Sequence, residues 1–361
     1  NNSKVRIAPP PPDQGHSSTA GTAFDGGGMW IWKLSDAEAG DPSAIATRAL
    51  ANNVRTVFVK SGDGTDYWEQ FTPQLVQALK SRGVEVCAWQ YIYGNDPEGE
   101  AAVAALAKQA GAACFVIDAE SEFEGKYDQA QRYVNSLRAA VGPDYPIGLA
   151  GFAFVDSHPG YPYSVFLGPG GAQFNVPQVY WHAIGGGVDA VVNHTYELNR
   201  PYGRPIVPIG QTYHDPPLPE IQRFRQLVAA NGSGGVSWWS WQETNDAEWA
   251  SIGAPLGPPA DPQPSQAFVT VKRGNKGDLV RWAQLHLTSA GFGANVDGDF
   301  GPGTQAQVTA FQQSRALPAT GEVDTITWRE LLKAVPPTGK KAPATAKLRP
   351  KGNDPTIAPR R

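Results

Sequence analysis

Sulfur is scarce in this sequence: 361 residues contain two cysteines and one methionine. That excludes a disulfide-built scaffold, which needs many cysteines in a short chain. Cys87 and Cys114 fall near the starts of neighbouring predicted strands. A disulfide is within geometric reach, but the preferred reading is two buried thiols. Charge is also sparse, 18% of residues with a formal net charge of -4, so the chain lacks the basic footprint of a nucleic-acid binder. No apolar run approaches the roughly 20 residues that span a bilayer, so no membrane span is expected. The N-terminus does not follow the basic, apolar, small-residue order of a signal peptide; the expectation is a protein exported already processed or delivered by a phage, acting extracellularly at a cell wall.

Several chemistries lack their motifs. The six histidines show no HExxH pattern and no dense acid pairing, which excludes the familiar zinc arrangement. Gly-x-Ser-x-Gly is absent, and neither cysteine has a papain-like context. The clusters Gly26-Gly27-Gly28, 168–171 and Gly185-Gly186-Gly187 have no Lys-Ser or Lys-Thr partner, so they read as turns rather than phosphate cradles. No metal or cofactor is expected.

Hydrophobic residues make up 41% of the chain, alongside 32 prolines and 40 glycines. This length suits one barrel-sized domain plus a small module. Residues 1–22 carry the run Pro9-Pro10-Pro11-Pro12 and read as a disordered leader. Closely spaced prolines deny residues 254–266 both helix and ladder hydrogen bonds, marking an interdomain linker. Residues 336–361 are basic and read as a disordered tail able to contact anionic polymer weakly, with a solvated tail as the alternative.

Between leader and linker, short β-branched and aromatic runs at 29–34, 56–61, 84–93, 114–119, 147–154, 177–181, 206–212 and 235–241 alternate with helical periods at 43–52, 73–82, 97–110, 127–141, 188–199 and 219–231. Eight nearly continuous apolar strands with helical crossovers predict an α/β fold, a (β/α)8 barrel over residues 23–253.

Reactive side chains in such a barrel sit at the C-terminal ends of strands. Those ends offer Lys60, Asp63, Gln90, Tyr93, Asp118, Glu120, Gln178, Tyr180, Trp181, Gln211, Tyr213, Trp239, Trp241 and Glu243. Amides, carboxylates and aromatics are the groups that bind sugar hydroxyls and stack on sugar rings. Asp118 and Glu120 share a strand face, and two acids that close cannot ionise independently, so one stays protonated to serve a leaving oxygen. Alternation puts Trp239 and Trp241 on one face and Trp238 on the other, in the core.

In residues 267–335, Val280, Ala283 and Leu287 form one helix face, Gly291 ends that helix, and Asp297, Gly298, Phe300 and Gly301 make a tight turn. Thr304 and Thr327 read as caps for two more helices, whose Val308, Phe311, Trp328 and Leu331 face inward. Together with Gly277, Gln284, Gln312, Leu317 and Gly321, these residues resemble the type 1 peptidoglycan-binding domain. The resemblance implies a small three-helix fold that binds cell-wall glycan or its stem peptides.

The barrel loosely resembles lysozymes of glycoside hydrolase family 25, through Phe58-Val59-Lys60 with Asp63-Gly64 and through Ile117-Asp118-Ala119-Glu120. That resemblance implies Glu120 as general acid and Asp118 as its companion in a peptidoglycan glycosidase. The family's first-strand aspartate is missing: the strand reads Met29-Trp30-Ile31-Trp32-Lys33-Leu34, flanked by Asp25 and Asp36. Either Glu243 replaces it across the mouth, or the substrate's own acetamido oxygen attacks while Asp118 orients it, the reading preferred here. A non-catalytic wall-binding or virion protein, and a glycosidase on another polysaccharide, are the alternatives.

Overall fold

The computed structural model describes residues 21–339; most of the leader and nearly all of the basic tail lie outside them. The strands are β1 (Gly26–Ile31), β2 (Val54–Asp63), β3 (Asp66–Tyr67), β4 (Glu85–Ile92), β5 (Cys114–Ala119), β6 (Ile147–Ala150), β7 (Phe174–Asn175), β8 (Ile209–Gln211) and β9 (Gly235–Trp239). Setting aside β3, a short antiparallel flap on β2, neighbouring strands run parallel in the order β7-β6-β5-β4-β2-β1-β9-β8. Parallel bridges from Asn175 to Ile206 and from Gln178 to Ile209 join the two ends. The protein is a (β/α)8 barrel followed by a small helical domain.

Helices α1 (Pro42–Ala51), α2 (Pro73–Lys80), α3 (Pro97–Gln109), α4 (Tyr127–Val141), α5 (Tyr163–Phe166), α6 (Trp181–Ile184), α7 (Val188–Asn199), α8 (Leu218–Ala230) and α9 (Asp246–Gly253) fill the crossovers and follow the last strand. The first three start alike. Asp41, Thr72 and Asp96 each accept a backbone N–H from the first turn, and proline occupies the first helical position, where it loses no hydrogen bond. Past β6 the pattern changes: residues 151–173 form an extended loop holding a 3-10 turn at Val155–Ser157 and the one-turn α5.

Two apolar layers follow from the alternation of side chains along each strand. Met29, Ile31, Val57, Val59, Ala88 and Phe115 pack outward against the helices. Trp30, Phe58, Cys87, Trp89, Cys114, Val116, Tyr180 and Trp239 fill the interior. Trp30 lies parallel to Phe58 at 5.0 Å, and the Trp89 and Trp239 rings meet edge to face at 5.4 Å, so aromatic contacts plug the barrel beneath its mouth.

Cys87 and Cys114 form a disulfide inside this plug, which corrects the expectation of two free thiols. They are direct register partners of β4 and β5, with Cα atoms 4.6 Å apart, and both side chains face inward. That places the sulfurs within bonding reach without backbone movement.

The proline-rich segment 254–266 contains no helix or strand and lies along the barrel. Arg200 donates to the carbonyls of Ser265 and Ala267, and Arg225 to that of Ala254. Beyond it come α10 (Asp278–Ser289), α11 (Pro302–Ser314) and α12 (Thr325–Leu331). Val280, Ala283, Leu287, Val308, Phe311, Trp328 and Leu331 are buried among them. The helix starts differ by a few residues from the expected caps. Gly301 precedes α11 and Asp324 caps α12 by accepting from the Thr327 N–H, so Thr304 and Thr327 sit inside the first turns.

Candidate functional site at the barrel mouth

The inward face of β5 reads Cys114, Val116, Asp118, and the chain continues to Glu120. Both acids are buried, Asp118 with 8% and Glu120 with 4% of its surface exposed. From β7's extension, the single amide nitrogen of Gln178 donates to Asp118 Oδ1 at 3.3 Å and to Glu120 Oε1 at 3.2 Å. One donor thus holds both carboxylates. Burial, and then the charge of Glu120, push the Asp118 carboxyl well above the usual carboxylate range; Lys60 opposes this, while Asp63 and Glu122 add to it. Ionising Asp118 beside a charged Glu120 is therefore disfavoured, and the pair tends to keep one proton between them.

Lys60 projects from β2 towards the same space. Its ammonium sits 4.4 Å from the Trp68 ring centre, 5.0 Å from Trp89 and 5.7 Å from Trp32, and pairs with Asp63 at 2.6 Å. Tyr93 donates to the other Asp63 oxygen at 2.7 Å. The tryptophans and Asp63 fix the lysine's position and direction. Tyr180 and Tyr213 meet edge to face at 5.3 Å. Burial raises the pKa of both phenols, with the charge of Glu243 contributing to each. Tyr180 also feels the charges of Asp118 and Glu120, so it lies within reach of the acid pair as well as of Glu243. Glu243 accepts from Ser240 Oγ at 3.3 Å.

Lys60, Asp63, Tyr93, Asp118, Glu120, Gln178, Tyr180, Tyr213 and Trp239 gather at this end of the barrel. Three sequence candidates face elsewhere. Gln90 points under α3, donating to the carbonyls of Gly64 and Glu100. Trp181 starts α6, stacks on Phe224 and donates to Glu220. Trp241 follows the end of β9 and packs against Trp249 in the outer layer. They are corrected from mouth residues to core residues: Gln90 lies on the outward face of β4, and for Trp181 and Trp241 strand alternation stops where β7's extension and β9 give way to helical turns. Gln211 is occupied structurally: its carbonyl accepts from the His182 and Ala183 N–H groups, holding the following loop. Two residues were missed. Tyr91 faces inward beside the acids and donates to Glu122 at 2.6 Å, and Trp68 covers Lys60.

The first strand supplies no acid. Trp30 and Trp32 take its inward positions, Asp25 precedes β1 at the opposite end of the barrel, and Asp36 is exposed in the turn after β1. Three buried polar atoms near the mouth have no hydrogen-bond partner among the described residues: Trp32 Nε1, Gln178 Oε1 and Tyr213 Oη. Unpaired buried groups are costly unless something else binds them, and Gln178 Oε1 belongs to the same amide that holds both acids. A surface groove between α1 and α9 is lined by Glu38, Asp41, Arg48, Asp246 and Trp249. It belongs to the outer helical layer, and its arginine is already paired with Glu38 and Asp246. Among the described residues, no group of three histidine, cysteine or acidic side chains is placed to hold a metal ion. No helix among them is long and apolar enough to cross a membrane.

Comparison with known proteins gives a family for the small domain. Residues 276–331 match the family model described as "Putative peptidoglycan binding domain". A peptidoglycan-binding protein from Clostridioides difficile is 35% identical over 18% of this chain and 40% of its own, with a TM-score of 0.17. The SleB N-terminal domain is 36% identical over 18% of this chain and 92% of its own, with a TM-score of 0.18. A chitinase from Chromobacterium violaceum is 14% identical over 63% of this chain and 98% of its own, with a TM-score of 0.46. This chain thus spans about two fifths of the length of the Clostridioides difficile protein. No curated protein matches it.

Proposed function

We propose that this chain, whose residues 276–331 match the peptidoglycan-binding family, is a cell-wall-targeted glycoside hydrolase that cleaves peptidoglycan glycan strands. The observation that carries the reading is the Gln178 amide bridging Asp118 and Glu120 at the buried C-terminal end of β5. Two carboxyls held together, one biased towards its neutral form, are what protonation of a glycosidic oxygen requires.

In this reading the substrate's 2-acetamido oxygen attacks the anomeric carbon as the bond to the leaving oxygen breaks. Glu120 gives that oxygen its proton. Asp118, which shares with Glu120 the single proton that Glu120 passes on, orients the acetamido group and as a carboxylate balances the positive charge on the cyclised intermediate. Water then adds at the anomeric carbon, returning its proton to Glu120, with retained configuration. The absence of a β1 acid and the elevated Asp118 pKa support this route. In this reading Lys60, Tyr180, Tyr213 and Trp239 contact the sugars. The small domain keeps the barrel on the wall, and the setting is extracellular.

The near-complete burial of both acids supports a second reading, a wall-binding protein whose barrel no longer turns over. Turbidity loss from purified sacculi, with mass identification of the released fragments, separates the two. The hydrolase releases fragments ending in a reducing sugar, and Glu120→Gln lowers the rate by about 10²- to 10⁴-fold. Sacculi that bind the wild type yet keep their turbidity would leave the second reading standing.

A further inference from the structure

The loop between β6 and β7 touches the acid pair on one side and the small domain on the other. On the barrel side, Tyr161 donates to the Ala119 carbonyl, between Asp118 and Glu120, at 2.8 Å. His158 bonds Glu124 at 2.8 Å, and its ring lies on Phe152 at 3.5 Å. Phe152 is in turn bridged to Gln178, whose N–H donates to the Gly151 carbonyl. The segment that carries the two acids and the one that carries Gln178 therefore both rest on this loop.

On its other side the loop is held by the first turn of α10. Asp278 is 1% exposed. Its carboxylate accepts from Ser164 N at 2.8 Å, Ser164 Oγ at 2.6 Å and Tyr202 Oη at 2.8 Å, and its own N–H donates to the Pro159 carbonyl. Trp282, one turn on, donates to Pro201 at 2.6 Å. Gly277 allows this approach: with φ at +116°, a Cβ there would lie 2.8 Å from the Pro159 oxygen. A buried carboxylate with three donors is a fixed anchor rather than a sliding contact.

We infer that the peptidoglycan-binding domain is part of the catalytic support, and that Asp278 is a positioning residue acting on Glu120 through the 159–164 loop. The inference rests on the hydrolytic reading for its effect on turnover, but the mechanical link stands or falls separately. The domain is then more than an interchangeable anchor: loosening it slows the reaction even on substrate too small to engage both parts.

The test uses the full chain as wild type, Asp278→Ala and Asp278→Asn. Asparagine keeps an acceptor for Ser164 N and Tyr202, and its amide can donate to Ser164 Oγ. Hydrogen exchange is followed over residues 119–126, and kcat and KM are measured on soluble, peptide-free glycan strands from peptidoglycan. The expected result is faster exchange over 119–126 in the alanine variant, with kcat down about 10- to 100-fold and KM nearly unchanged. Asparagine restores both. Unchanged exchange over 119–126 in the alanine variant overturns the inference, even if residues 159–164 exchange faster. Should Asp278→Ala fail to fold, Tyr202→Phe and Ser164→Ala each remove one donor and give the same reading in smaller steps. An inert wild type whose exchange still follows Asp278 refutes the hydrolytic reading and leaves the link intact. An active enzyme with no such coupling does the reverse.

Discussion

Breaking the Cys87–Cys114 disulfide should destabilise the barrel by an amount that follows from its loop. The bond closes a sequence separation of 27 residues. Loop-closure entropy for that length comes to about 12 cal/mol/K, or about 3.5 kcal/mol at 25 °C. The native state has little reason to rearrange when the bond is lost: six register pairs still join β4 to β5, and both positions stay inside the aromatic plug. Most of the effect should therefore fall on the unfolded chain. In a domain of this size such a loss lowers Tm by about 7 to 14 °C. Urea titration of wild type and the double variant Cys87→Ala/Cys114→Ala should show the midpoint falling by the corresponding amount. Alkylation of the denatured, unreduced wild type should label neither cysteine. Two labelled thiols, or a double variant within about 1 kcal/mol of wild type, would refute the reasoning.

Asp118→Asn should remove activity yet stabilise the fold at neutral pH. The folded pKa of Asp118 lies above its unfolded value, so the native state holds the proton more tightly and stability falls as pH rises from the ordinary carboxylate range through the folded pKa. Asparagine has no such slope, so its advantage in denaturation should be present at about pH 7 and vanish near pH 3; an advantage that persists at low pH contradicts the assignment. Gln178→Leu takes the shared donor from both acids. It should cost about 1 to 3 kcal/mol in unfolding free energy and lower kcat about 10- to 100-fold; full activity in this variant would mean that the bridge does not organise the pair.

Much of the barrel was legible because its strands are short apolar runs bounded by turn residues, and because the first three helices are capped and proline-started. Which way a side chain faces was harder. In Val86-Cys87-Ala88-Trp89-Gln90-Tyr91 both faces are buried, so no alternation of polar and apolar residues separates inside from outside. The cysteines held the missing signal. Pairing Cys87 with Cys114 puts Trp89 and Tyr91 on the same interior face as Asp118, and turns Gln90 away. Trp181 and Trp241 were misplaced for another reason, since each starts a helical turn, Trp181 beyond the extension of β7 and Trp241 beyond β9. The small domain was readable at nearly every offset, because its turns depend on glycines and its core on a few fixed apolar positions. Its anchorage through Asp278 was not, because an aspartate at the start of a helix has an ordinary local role, and nothing local announces a partner more than a hundred residues away.

Reducing ends released from purified sacculi by the wild type and by Glu120→Gln, each first shown to sediment with the sacculi, test the central claim most directly. Equal sedimentation, with release by the wild type alone, is the expected result. Equal release by both proteins, or sedimentation of the wild type without any release, would contradict it.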